Sequence, residues 1–186
     1  MASLLQPQGR RLVVGITGRI GSGKTTVGKY LESTHGFQYL RYSAVLADWL
    51  AKDPESKAHL QNVGWEVMAG GMQAELNRRL VEQITPDSDV AVDGLRHPLD
   101  YQTLKDKFLS SFRLLFIDSP LHLRRERLKR KYPEPEKFQQ ADSHAVEQQI
   151  DSLRPSAFVI QNESSIPALY VQIDEAISRF RKEGQP

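Results

Sequence analysis

Gly18-Arg19-Ile20-Gly21-Ser22-Gly23-Lys24-Thr25 sets three glycines, a lysine and a threonine at the spacing G-x-x-x-x-G-K-T, a run that few folds accommodate. Leu12-Val13-Val14-Gly15-Ile16-Thr17 just before it has the apolar character of a strand buried in a parallel sheet. From Thr26 to Ser33, Val27, Tyr30 and Leu31 recur at helical spacing. A loop between such a strand and such a helix can curl through its glycines and turn successive N–H groups onto an anion, with the helix dipole behind them. The loop backbone and Lys24 then suit the β- and γ-phosphates of a nucleoside triphosphate, and the Thr25 hydroxyl suits a magnesium ion. The predicted nucleotide-binding set is Gly18, Arg19, Ile20, Gly21, Ser22, Gly23, Lys24, Thr25 and Thr26.

The rest of the chain alternates strand-like and helix-like stretches, which is the signature of a parallel α/β sheet. Strands are expected at Phe37–Arg41, Val90–Asp93, Phe112–Ile117 and Ala157–Ile160. Ser43 is a candidate N-cap for a helix ending near Asp53-Pro54. Helical stretches follow over 57–68 and 72–83, parted by Gly70-Gly71, and then over 98–108 and 122–131. Pro133 and Pro135 break the chain before another helix over 142–153. Leu169, Ile173, Ile177 and Phe180 form the core stripe of a last helix from Ile166. The expected fold is a doubly wound five-stranded parallel sheet in one domain, 1–186. It has a loose arm over 1–11, a helical acceptor-binding region over 43–85 and a basic lid over 122–150.

Ligands of such sheets sit beyond the carboxyl ends of the strands, and that rule selects the remaining candidates. Asp93 ends the third strand and is the expected second magnesium ligand beside Thr25. Arg96 shares that rim, where a guanidinium can grip an acceptor phosphate or stabilise transferring charge. His122 to Lys131 carries six Lys and Arg residues against one carboxylate. Arg124, Arg127 and Lys131 share one helical face there, so the segment suits a lid that closes on phosphates and excludes water. Without aromatic side chains interleaved to stack bases, it is read as a lid in preference to a nucleic-acid track. Asn162, after the fifth strand, falls where a nucleotide base would lie. The Asn-Lys-x-Asp signature of guanine readers is absent, which favours adenine.

A net charge of +2 gives no electrostatic case for nucleic acid, and no apolar run is long enough to span a bilayer. Zero cysteines exclude disulfides and thiolate metal sites, as a cytoplasmic protein would have it.

Val14 to Thr25 resembles the opening of dephospho-coenzyme A kinases, and the wider layout is similar to the nucleoside monophosphate kinase superfamily. Asp93-Gly94-Leu95-Arg96-His97-Pro98 and the basic stretch are similar to AAA-type, dephospho-CoA-kinase-like and phage deoxynucleoside monophosphate kinase-like ATPases. The resemblance implies ATP and Mg²⁺ at the loop, lid arginines at Arg124, Arg127 and Arg130, and adenine near Asn162. Dephospho-coenzyme A kinases place an Asp-x-Asp after strand two, where one carboxylate activates the acceptor hydroxyl. Here Arg41-Tyr42-Ser43 stands in that place, and Arg41 and Ser43 suit an acceptor that already carries an anionic group. The expected activity is ATP- and Mg²⁺-dependent transfer of the γ-phosphoryl group to a small nucleotide-type acceptor. Lys24, Asp93, Arg96, Arg124 and Arg127 carry the chemistry. The alternative is an ATP-binding regulatory module without a small-molecule acceptor.

Overall fold

The computed structural model describes residues 11–50 and 57–183. The N-terminal arm up to residue 10 and the Asp53-Pro54 break lie outside the described residues. Five parallel strands, β1 (Val13–Thr17), β2 (Gln38–Arg41), β3 (Val90–Asp93), β4 (Phe112–Asp118) and β5 (Phe158–Gln161), form one sheet in the order β2-β3-β1-β4-β5. The first strand is therefore central: the chain crosses from it to the edge strand β2, returns inward to β3, and then runs outward through β4 and β5 on the other side.

Alternation within the strands builds two separate cores. Val13, Val90, Val92, Phe112 and Leu114 pack toward α2 (Tyr42–Trp49), α4 (Gln73–Glu82) and α5 (Pro98–Phe108). Val14, Ile16, Ala91, Leu115 and Ile117 pack on the other face against α1 (Lys24–His35) and α9 (Ile166–Glu183). Leu169, Ile173, Ile177 and Phe180 of α9 are buried, as their spacing predicts. α3 (Lys57–Ala69) completes the helical region between β2 and β3.

Two local expectations are corrected. Ser43 does not cap α2: the helix opens at Tyr42, Arg41 is its extended N-cap residue, and Ser43 is an exposed first-turn residue. Register explains this, because β2 runs to Arg41 alongside Asp93 and passes directly into the helix. Nor does the proline pair only break the chain. The basic helix α6 (Leu121–Leu128) ends early, and Pro135 occupies the first position of α7 (Pro135–Asp142), where its missing N–H is no loss. The helix expected over 142–153 is instead the end of α7, the short α8 (Ala145–Gln148) and a 3₁₀ segment over Gln149–Ser156.

Candidate active site

The glycine loop lies between β1 and α1 at the carboxyl edge of the sheet. Gly18 and Gly23 have φ of 140° and 104°, which other residues rarely adopt. A side chain at either would also collide, with the Ile117 carbonyl at Gly18 and the Asn162 amide at Gly23. The first amide of α1 to find a backbone acceptor is Val27, which donates to Gly23 O at 3.1 Å. The preceding N–H groups at the helix start are thus open to an anion. Ser22 Oγ, buried in the loop, has no partner either.

Lys24 turns its ammonium inward, donating to Gly18 O at 2.5 Å and Arg19 O at 3.1 Å. Burial pulls its pKa down to about 8, with Glu147 opposing that shift and Arg96 adding to it. Thr25 Oγ1 donates to Asp93 Oδ2 at 3.2 Å, and Asp93 is almost wholly buried. These hard oxygens fit one flank of a magnesium ion completed by phosphate oxygens and water. No cluster of three or more carboxylate or imidazole ligands exists among the described residues. Tyr39 donates to the same Asp93 oxygen at 2.7 Å, and its hydroxyl is pushed well above its usual pKa, chiefly by burial and then by Asp93. Tyr39 stays a neutral donor and so fixes the carboxylate.

Arg96 pairs with Glu147, whose side chain is completely buried. The other oxygen of Glu147 accepts from Ile20 N–H of the loop at 2.8 Å. The turn carrying Arg96 is held by Asp100, which accepts from the Arg96 and His97 amides at 3.0 Å each and from Gln73 Nε2 at 2.5 Å. His97 and Asp100 form a capping box at the start of α5.

The lid arginines have distinct settings. Arg124 is buried, paired with Asp142, and donates to Ser119 O at 3.1 Å and Ile20 O at 3.2 Å. Arg127 reaches Ser119 Oγ at 2.8 Å and Asn162 O at 2.9 Å. Arg130 lies exposed beyond the end of α6. Arg19 points back to Asp151 at 2.6 Å and to Asp142 O at 3.1 Å. Asn162 is buried, with Nδ2 donating to Ser22 O at 2.7 Å, so it braces the loop from the end of β5. Arg41 lies at the strand edge beside Asp93, with no ion-pair partner among the described residues.

Sequence reasoning singled out neither Tyr39, Asp100, Asp142 nor Glu147. The His97-Pro98-x-Asp100 pattern was a readable helix start. Glu147, one of three acids from Asp142 to Asp151, carries no distinguishing signal.

The sheet order and the loop after the central strand define an α/β fold of the P-loop kinase type. The chain belongs to the AAA domain family, whose model matches residues 14–148. No curated protein matches it. Among solved structures it is similar to a shikimate kinase from Acinetobacter baumannii in complex with shikimate, at 16% identity and TM-score 0.55, covering 92% of this chain and 93% of that one. A gluconokinase from Sinorhizobium meliloti 1021 aligns at 16% identity and TM-score 0.55, over 93% and 94% of the two chains. A sugar kinase from Janibacter sp. HTCC2649 aligns at 16% identity and TM-score 0.58, over 90% and 93%. Among the described residues no helix is long and apolar enough to cross a membrane.

Proposed function

We propose that the protein is a small-molecule kinase that transfers the γ-phosphoryl group of ATP to a nucleotide-type acceptor. The observation that carries this reading is the Thr25–Asp93 contact at 3.2 Å beside Lys24 and the open amides of α1. The loop and Lys24 hold the β- and γ-phosphates. Thr25 and Asp93 would hold Mg²⁺, which screens the charge of the phosphate tail. The donor base would lie on the β4–β5 side, near Asn162 and Ser119. The helical region α2–α4 follows β2 and precedes β3, and would enclose the acceptor. Arg96 and Arg127 lie at the rim between those halves and can balance charge that spreads over the phosphoryl oxygens. Kinases of similar fold named for shikimate, gluconate and sugar support a small acceptor.

The test is phosphotransfer from labelled ATP across nucleoside monophosphates and dephospho-coenzyme A, with Lys24→Ala as control. Transfer that Lys24→Ala abolishes, without loss of the folded state, is expected. Near-normal transfer by that variant would sink the assignment. ATP turnover with no acceptor consumed would favour the regulatory module.

A further inference from the structure

The end of β2 carries no acid. Arg41 caps α2, and the Tyr42 hydroxyl is engaged with Asn77 Oδ1 at 2.6 Å. Two carboxylates nevertheless flank the loop. Asp93 is committed to Thr25 and Tyr39 on the side where a metal fits. Glu147 lies on the other flank, joined to Ile20 N–H at the shoulder of the loop and to Arg96 after β3. Its helix, α8, packs on α3, so the carboxylate stands where the loop meets the helical region on the β2–β3 side. The amides that would cradle phosphate are those at the start of α1, and Ile20 precedes them. Glu147 can therefore keep its hold on Ile20 while a triphosphate is bound.

This placement changes the charge that an acceptor meets. Arg96 has a buried counter-ion and is not a free grip for a second phosphate. A carboxylate within electrostatic reach of Lys24 repels an anionic nucleophile and accepts readily from a neutral hydroxyl. Each oxygen of Glu147 has one partner, so lone pairs remain for a further donor.

Resting on the phosphotransfer reading above, we infer that Glu147 is the acceptor-side catalytic carboxylate and that the acceptor presents a hydroxyl, not a phosphate, to ATP. The carboxylate accepts the hydroxyl proton as the acceptor oxygen bonds to the γ-phosphorus. The bond from that phosphorus to the β–γ bridging oxygen breaks, and its electron pair leaves with ADP. The proton on Glu147 then passes to solvent only as the product leaves and the site opens. Burial keeps water, the competing nucleophile, from this base. An acceptor reaches it by parting the seam between α3 and α8, where Trp65 and His144 meet edge to face at 6.5 Å.

The experiment has a part that needs no variant. Wild-type protein, ATP and the same probes, dephospho-coenzyme A and nucleoside monophosphates, are incubated, and the product linkage is read by phosphorus NMR. A phosphomonoester on a sugar hydroxyl is expected, and a nucleoside diphosphate would overturn the inference. In the second part, Glu147→Gln should lower kcat by about 10²- to 10⁴-fold while ATP affinity, by calorimetry, stays within about twofold. Glu147→Asp, which keeps the charge, should fall between. Unchanged kcat, or parallel loss of ATP affinity and melting temperature, would overturn the role and leave Glu147 a structural brace. Absence of transfer by wild-type protein to every probe would overturn the kinase reading itself, and this inference with it.

Discussion

Asn162 donates its side-chain amide to the carbonyl of Ser22 at 2.7 Å across 140 residues of sequence, so the last strand of the sheet holds the loop of the first. The bond is buried, and Arg127 closes on the Asn162 carbonyl from outside.

Asn162→Ala leaves the Ser22 carbonyl buried without its donor. A loss of about 1–3 kcal/mol is expected in denaturant unfolding. The Michaelis constant for ATP should rise more than kcat falls, because the loop loses its set position. Unfolding and steady-state measurements on one preparation check both.

Lys24 should make ATP binding depend on pH. Its pKa is about 8 when folded, against a usual value near 10.4, so between those values the unfolded chain binds more protons. Stability from this group therefore rises with pH across that window. A triphosphate beside the ammonium restores the charged form. Binding above pH 8 should take up a proton and weaken as pH climbs. Calorimetry at pH 9 in buffers of different ionisation enthalpy measures the uptake, and Lys24→Arg should abolish it.

Arg124 and Arg127 should separate in their effects. Arg124→Ala removes the closer of the two ion-pair partners of Asp142, leaving Arg19 at 3.9 Å, together with two carbonyl contacts inside the protein, and about 1–3 kcal/mol of stability should go with it. Arg127→Ala touches a more exposed residue. Stability should change little, while kcat should fall by about 10²-fold if the guanidinium meets transition-state charge. Thermal melting beside turnover distinguishes them; a rise in KM alone for Arg127→Ala would make it a binding residue.

Tyr39→Phe frees one oxygen of Asp93 from a 2.7 Å hydrogen bond. Aspartate with a looser orientation should require several-fold more Mg²⁺ for half-maximal turnover. Asp93→Asn should cost far more, about 10²-fold or greater in kcat, because the charge is lost as well. Magnesium titrations of activity test the order of the two effects.

The loop, the sheet and α9 were legible because their residues repeat a pattern that backbone geometry imposes: glycines at forced φ, apolar runs in strands, a helical stripe at Leu169, Ile173 and Ile177. Asp93 was legible because it ends a strand. Tyr39 was not, since its role depends on β2 lying beside β3, a pairing no local pattern states. Glu147 was hidden for the same reason, brought to Ile20 across 127 residues by the packing of a four-residue helix. α7 is hidden in the sequence because a proline reads as a break, while the fixed φ of Pro135 also opens a helix.

The edge-to-face pair of Trp65 and His144 gives the molecule an internal optical gauge. An indole with a third of its surface in water changes its emission when an imidazole neighbour leaves. Trp49, the second indole, rests under the Arg79 guanidinium on another part of the helical region. With Trp49 replaced by phenylalanine, the surviving fluorescence would report on the contact between α3 and α8 alone.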